Sequence, residues 1–411
     1  MMSALLAVVV ASQFVFDVTA GQSLSQGGNA STEAAQNAPL STTQPYSNTA
    51  PLAFSVKDDP SSGMPQTQAA FCAWPTTPLL ESTFTVTAGH NGESPRSGYA
   101  NYYRSLSGVN LHMISGSRGG TAAASMLSGS LPFIWMERQM EAAGVRGGQL
   151  GAIHFKGHES DDVAATTRAQ ITANIVTLRN SINAKANAVT RARGNNAVMF
   201  ITQNSNWTKM VPRAAAKAAL AEYDAARADP SGIKLAGPSY QYAYDTAGLH
   251  MTAASYRAMG ATAGKARFYN TAWQPLWPRL ASPVSRNGAV ITVYLYTPTP
   301  PLVVDTTTVT GVSASTRGFE YTCGSSPPAI ISVDCSAACS GNVCSCDITL
   351  ASTPGAPCLA DDTIGYAITG TSGNNAGPTS GARGNIRDSD TATWQGANLY
   401  NWLVHFEESV P

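Results

Sequence analysis

Up to about residue 270, apolar positions alternate between two spacings. Phe14, Val15, Phe16 and Val18 make a β-branched and aromatic run that predicts a strand, and it leads straight into Gly21-Gln22-Ser23-Leu24-Ser25-Gln26-Gly27. Residues 109–115 predict a second strand, followed by Gly116-Ser117-Arg118-Gly119-Gly120-Thr121. Residues 149–156 predict a third, which runs into Gly157-His158-Glu159-Ser160-Asp161-Asp162. Residues 197–203 and 233–236 predict a fourth and a short fifth.

Helical patterns fall between these runs. Short helical pieces are expected near 99–106, and a helix over about 131–143. Ile171, Ile175, Leu178 and Ile182 share one face of a long helix. Pro212 opens an Ala-rich helix, as proline in a first turn does, and Pro230-Ser231-Gly232 closes it. Asp245 to His250 is a loop, and 252–264 a last helix. Strands alternating with helices imply right-handed crossovers and a parallel sheet. The expected fold is therefore α/β, a three-layer, flavodoxin-like domain with a parallel sheet over residues 1–275.

From about residue 276 helical spacing is gone. Residues 289–296, 302–304, 330–333, 347–350 and 364–368 read as short strands, and 401–406 as a closing strand. This predicts a C-terminal β-sandwich domain over residues 276–411.

Composition narrows the function. Apolar content of 43% supports a sizeable core, while charged content is only 12% and formal net charge is zero. Binding to nucleic acid or anionic lipid needs a basic surface, so neither partner is expected. Of seven cysteines, six lie between Cys323 and Cys358. That density in a small β-rich segment favours disulfides and an oxidising compartment. Cys335-x3-Cys339 and Cys344-x-Cys346 are poor zinc spacings with no His nearby, and sequence cannot choose among the pairings. Cys72 is left over and is expected to be buried. The apolar run 4–11 is too short to span a membrane and is read as a retained segment packed on the sheet. The Pro-, Ser-, Thr- and Gly-rich stretch from Ser23 to about Val109 reads as a lid or pocket wall. Phe71, Trp74, Tyr102 and Tyr103 pin it to the core.

Four loops leave four strands at one sheet edge, where open α/β folds place ligands. They carry Ser23, the Gly119-Gly120 pair, the 157–162 segment, and Asp245 with His250. Acyl transfer needs a nucleophile, a base, a group orienting the base, and oxyanion donors. Ser23, His250 and Asp245 fit the first three roles, and the N–H groups of Ser23 and Gly120 the fourth. His112 and His154 lie within strands and read as structural.

At these residues the chain resembles the SGNH (GDSL-type) hydrolases, most of all the sialate O-acetylesterase-like carbohydrate esterases and their phage-encoded relatives. GQSLSQG resembles the first block, with its Ser as nucleophile. SRGGT resembles the second, where Gly119 and Gly120 carry the oxyanion contribution. GHESD resembles the third, and GLHMTAASYRAMG the last, whose His is the base. GFEY, RGNIRDS and NWLV resemble the β-domain appended to phage-type members. The resemblance spans about residues 14–265. It implies a serine esterase removing O-acetyl groups from a glycan, outside the cell or on a virion, with Gln22, His158, Glu159 and Asp161 supporting the site. It implies no metal and no organic cofactor, and leaves room for other virion or surface proteins as partners.

Two positions depart from the pattern. The family's acid stands three residues before the His, and here that residue is Ala247. Lys156-Gly157-His158 stands where a Gln, Asn or His-Gly precedes the Glu. These departures support an alternative: a catalytically impaired virion or surface protein that keeps the fold for glycan binding or assembly. A lipid or thioester hydrolase of the same fold is a third reading.

Overall fold

The computed structural model describes residues 14–26, 40, 93–145, 147–190, 194, 196–205, 216–246, 248, 250–324, 326–355, 358, 361–370 and 376–411. The 4–11 run, Phe71, Cys72, Trp74, Pro212, Ala247 and most of the stretch after Ser23 lie outside them.

Strands β1 (Phe14–Gly21), β2 (His112–Ser117), β3 (Gly148–Lys156), β4 (Val198–Thr202) and β5 (Ile233–Gly237) form one parallel sheet in the order β2-β1-β3-β4-β5. This is the flavodoxin-like order, whose ligand crevice opens beside the first strand at the carboxyl edge. Parallel strands are covered on both faces and so read as near-continuous apolar runs.

The period of two then divides each strand between two helical layers. Val198 and Phe200 pack with Tyr99, Ala263 and Ala266 on one side. Met199 and Ile201 pack with Met140, Ile175 and Ala225 on the other. The first layer holds α2 (Pro95–Ser107) and α7 (Ala253–Tyr269); α1 (Ser23–Gln26) is one turn following β1. The second holds α3 (Leu131–Val145), α5 (Arg168–Val189) and α6 (Lys217–Ala228), while α4 (Glu159–Val163) is a short piece after β3. Helix α5 starts on a capping box between Thr167 and Gln170. Thr252 caps α7 through the Ser255 N–H.

Helices α2 and α7 approach so closely that a Cβ on Gly260 would stand 1.9 Å from the Pro95 carbonyl oxygen. The start of α2 at Pro95, rather than near Tyr99, follows from Ser94, which caps it, and from proline at its first position. Strand β2 begins three residues later than its apolar pattern. Gly108, at φ 70°, ends α2, and Val109 remains 44% exposed in the connection.

The remainder is antiparallel. Ile330–Asp334, Val343–Leu350, Val290–Tyr296 and Trp277–Pro278 follow one another in one sheet, and Val284–Asn287 also pairs with Val290–Tyr296. Phe319–Thr322, Thr363–Tyr366 and Phe406–Ser409 form a second. Ile291, Val293, Leu295 and Ile348 of the first share an apolar cluster with Phe319, Ile364, Tyr366 and Phe406 of the second. Three disulfides brace this part: Cys323–Cys358, Cys335–Cys346 and Cys339–Cys344.

The closing strand is displaced from its expected place. Residues 401–406 contribute only Phe406, and the strand continues to Ser409. The apolar run before it makes only one antiparallel bridge, Trp402 to Arg387, and is buried against the parallel-sheet domain. Tyr240 donates to the Leu403 carbonyl at 2.7 Å. Gln203 donates to the His405 carbonyl at 2.9 Å and accepts its N–H at 2.8 Å. Burial on a neighbouring layer gives the same apolar pattern as a ladder does, which is why the sequence misled here.

Candidate active site

Ser23 stands at the carboxyl end of β1 as the first residue of α1, and it is half-buried. The turn that presents it requires glycine. Gly21 has φ 141°, and a Cβ there would lie 1.8 Å from the Lys156 carbonyl oxygen. Beside it, the Arg118 N–H donates to the Gly21 carbonyl at 2.9 Å and the Gln22 N–H to the Lys156 carbonyl at 3.0 Å. The ends of β1, β2 and β3 are thus stitched together through two residues of one turn.

The buried Gln22 side chain repeats this connection. Its amide donates to the Thr121 carbonyl, and its carbonyl accepts the Ser160 N–H at 3.3 Å. Asp161 closes the ring by accepting the Ala123 N–H at 2.8 Å. Gly119 and Gly120 form the turn after β2, with Gly120 exposed at φ 64°. The second and third sequence blocks therefore meet around Gln22.

His158, at φ 82°, directly precedes α4 and is buried. Its Nδ1 lies 2.8 Å from Glu222 Oε1, both side chains buried. Glu222 also accepts the Asn204 N–H at 2.6 Å. Asn204 donates onward to Asp162 at 2.9 Å and accepts from Lys156 at 3.3 Å. Lys156, fully buried, is paired with Glu159. Burial pushes the carboxyl groups of Asp162 and Glu222 up, against the hydrogen bonds that each accepts.

Sequence reading passed over Asn204 and Glu222. Asn204 had a signal, since it directly follows a buried strand at the ligand edge. Glu222 had a weaker one, as the lone acid on the apolar face of an Ala-rich helix.

The fourth loop folds back on itself. Gly248, at φ 64°, donates to the Asp245 carbonyl at 2.8 Å, and the Asp245 N–H donates to the His250 carbonyl at 2.7 Å. Asp245 Oδ1 accepts the His250 backbone N–H at 3.4 Å. Both side chains are buried. Leu24, next to Ser23, and Met251, next to His250, belong to one buried apolar cluster with Tyr242 and Tyr256. Burial pushes the Tyr244 phenol up, and the Glu159 charge adds to it. The first, third and fourth loops therefore converge. His154 lies within β3, buried, its Nε2 3.0 Å from the Thr202 hydroxyl; His112 opens β2.

Among the described residues, no cluster of His, Cys, Asp and Glu is arranged to hold a metal ion. No described helix is long and apolar enough to cross a membrane.

A parallel sheet of this order, covered by helices on both faces, defines a flavodoxin-like α/β fold. No family model matches the chain, and no curated protein matches it by sequence. Among solved structures, it is similar to a carbohydrate acetylesterase from Xanthomonas citri at 12% identity and TM-score 0.53, over 96% of this chain and 80% of that one. At that identity the likeness shows the fold, β-rich part included. A protein from Arabidopsis thaliana aligns at 13% identity over 62% of this chain and 98% of that one, with TM-score 0.44, and carries no argument.

Proposed function

We propose that the chain is a serine esterase that removes O-acetyl groups from a glycan. Ser23 Oγ attacks the acetyl carbonyl carbon while the His250 imidazole takes its proton. The tetrahedral oxyanion forms facing the N–H groups of Ser23 and Gly120. Collapse breaks the bond to the sugar oxygen, which leaves with the proton from His250. Water, deprotonated by the same imidazole, then releases acetate and restores Ser23. Asp245 orients the imidazole, while Gln22, Glu159, Asp161 and His158 hold the loops that carry these groups.

The observation that carries this reading is the shared cluster of Leu24 and Met251, which brings the Ser23 and His250 segments to one place. The Xanthomonas citri structure, an acetylesterase of carbohydrate by its description, supports the substrate class. Three disulfides favour an oxidising, extracellular setting. A virion surface is one such setting.

A serine-directed organophosphonate should label Ser23 alone. Asp245→Asn should lower turnover of p-nitrophenyl acetate by up to roughly four orders of magnitude, and Glu159→Gln far less. Wild-type turnover no faster than that of Ser23→Ala would refute the enzyme reading for this ester. An active wild type with a silent Asp245→Asn would refute the triad.

Two observations favour a second reading, an impaired site kept for glycan binding or assembly. Asp245 Oδ1 is turned to the His250 backbone N–H, and a buried Lys156–Glu159 pair occupies the third block. Activity created by Ala247→Asp in an inactive wild type would decide for it.

A further inference from the structure

A cavity of about 210 Å³ opens between the C-terminal end of α7 and the β-rich part. Its walls include Lys265, Tyr269, Trp273, Tyr296, Asp390 and Asn401. Tyr269 is 51% exposed, and its ring stacks toward Trp273 at 6.2 Å with 28° between the planes. Helix α7 starts three residues after His250 and runs 17 residues, so this cavity lies about 25 Å along the helix from the candidate active site.

The chemistry of the walls selects the ligand. Lys265 and Asp390 are the charged lining residues, and they pair with each other. The remaining donor capacity of the Lys265 ammonium goes to the Leu399 carbonyl at 2.8 Å and to Asn401 at 3.1 Å. A phosphate or carboxylate would therefore find no uncommitted cation. Asn401 and Asp390 are held in place, Asn401 donating to Asp388 at 2.6 Å and Asp390 accepting the Ala392 N–H at 2.8 Å. The cavity thus offers aromatic surface beside fixed, electrically balanced polar groups. A pyranose ring matches this, with one face of C–H bonds and a rim of hydroxyls.

We propose that this cavity is a second, non-catalytic glycan site that takes a neutral sugar unit, with Tyr269 as its stacking platform. It goes beyond the esterase reading and does not depend on Ser23. A polymeric glycan bound here would raise the effective concentration of its neighbouring units over the rest of the same chain.

The test is affinity electrophoresis of the Ser23→Ala protein in native gels containing soluble dextran, xylan or galactomannan. At least one glycan should retard it. Tyr269→Ala should bind that glycan about tenfold more weakly, while Tyr269→Phe keeps most of the affinity. Thr299→Trp, a substitution at an exposed lining residue, should fill the cavity and abolish retardation without removing any wall. Near-UV circular dichroism confirms that each variant is folded. Migration unaffected by all three glycans would overturn the proposal, as would equal retardation of the Ser23→Ala protein and the Thr299→Trp variant. A wild-type protein that binds the glycan but hydrolyses no ester faster than Ser23→Ala would count against the catalytic reading alone.

Discussion

Replacing Asp17 by Asn removes one charge from the middle of β1 and leaves the shape unchanged. Asp17 is fully buried. Its Oδ1 accepts the Ala152 N–H at 2.8 Å, at the point where the β1–β3 register shifts. Its Oδ2 accepts from the Tyr99 hydroxyl at 2.8 Å and from Arg267 Nε at 2.9 Å. Burial, and then the Asp17 charge, push the Tyr99 phenol well up, which keeps it a donor. One carboxylate thus ties the strand that leads into Ser23 to α2 and to α7, the helix that follows His250. The Arg267 side chain is only 10% exposed, so Asp17→Asn strands a nearly buried cation. Breaking such a pair from one side costs about 3–5 kcal/mol. For a domain of this size that is a fall in Tm of about 6–20 °C. Urea unfolding followed by circular dichroism at pH 7 measures it. The double variant Asp17→Asn/Arg267→Met should lose less than the sum of the single losses, by roughly 1 kcal/mol or more. A single-variant loss below about 1 kcal/mol, the scale of an exposed pair, or strict additivity, would refute the argument.

Two histidines set a pH dependence. Burial holds His154 down to about 3 and His405 to about 4, so both are neutral in the fold while the unfolded chain protonates them near 6.5. Their stabilisation is complete above about pH 6.5 and is lost as pH falls toward 4, at up to roughly 2.7 kcal/mol per unit for the pair. Denaturant midpoints at pH 7, 5.5 and 4.5 should show this slope, and His154→Gln/His405→Gln should flatten it; equal slopes would refute the assignment. Among the disulfides, Cys323–Cys358 spans 35 residues and Cys339–Cys344 spans 5. Chain entropy gives the first about 4 kcal/mol and the second about 2. Replacing each pair by alanines should therefore lower the unfolding midpoint of the β-rich part more for the long loop, and the reverse order would count against the entropic account.

Much of this was legible in the chain because local spacing reports burial. The five parallel strands each bury both faces, so their apolar runs stood out, and helix α5 showed its inward stripe between them. Gly21-Gln22-Ser23 marked a turn at a strand end, since only glycine tolerates the Lys156 carbonyl at that distance. Six clustered cysteines announced disulfides. Spacing reports that a side chain is buried, and it is silent on what buries it. The run ending at Phe406 was apolar for a domain contact as well as for its short pairing with Ile386–Arg387.

The tertiary structure decided the partners. His158 meets Glu222 across 64 residues, and Asp17 meets Arg267 across 250. The cysteine pairing came from strand adjacency: Val343–Leu350 lies beside Ile330–Asp334, so Cys346 reaches Cys335 just beyond the neighbouring strand. The order β2-β1-β3-β4-β5 brought the first three loops around Gln22, and Met251, next to His250, packs in one cluster with Leu24. A buried charge or hydroxyl must find its counterpart in space, and chain separation carries no record of where that counterpart will be.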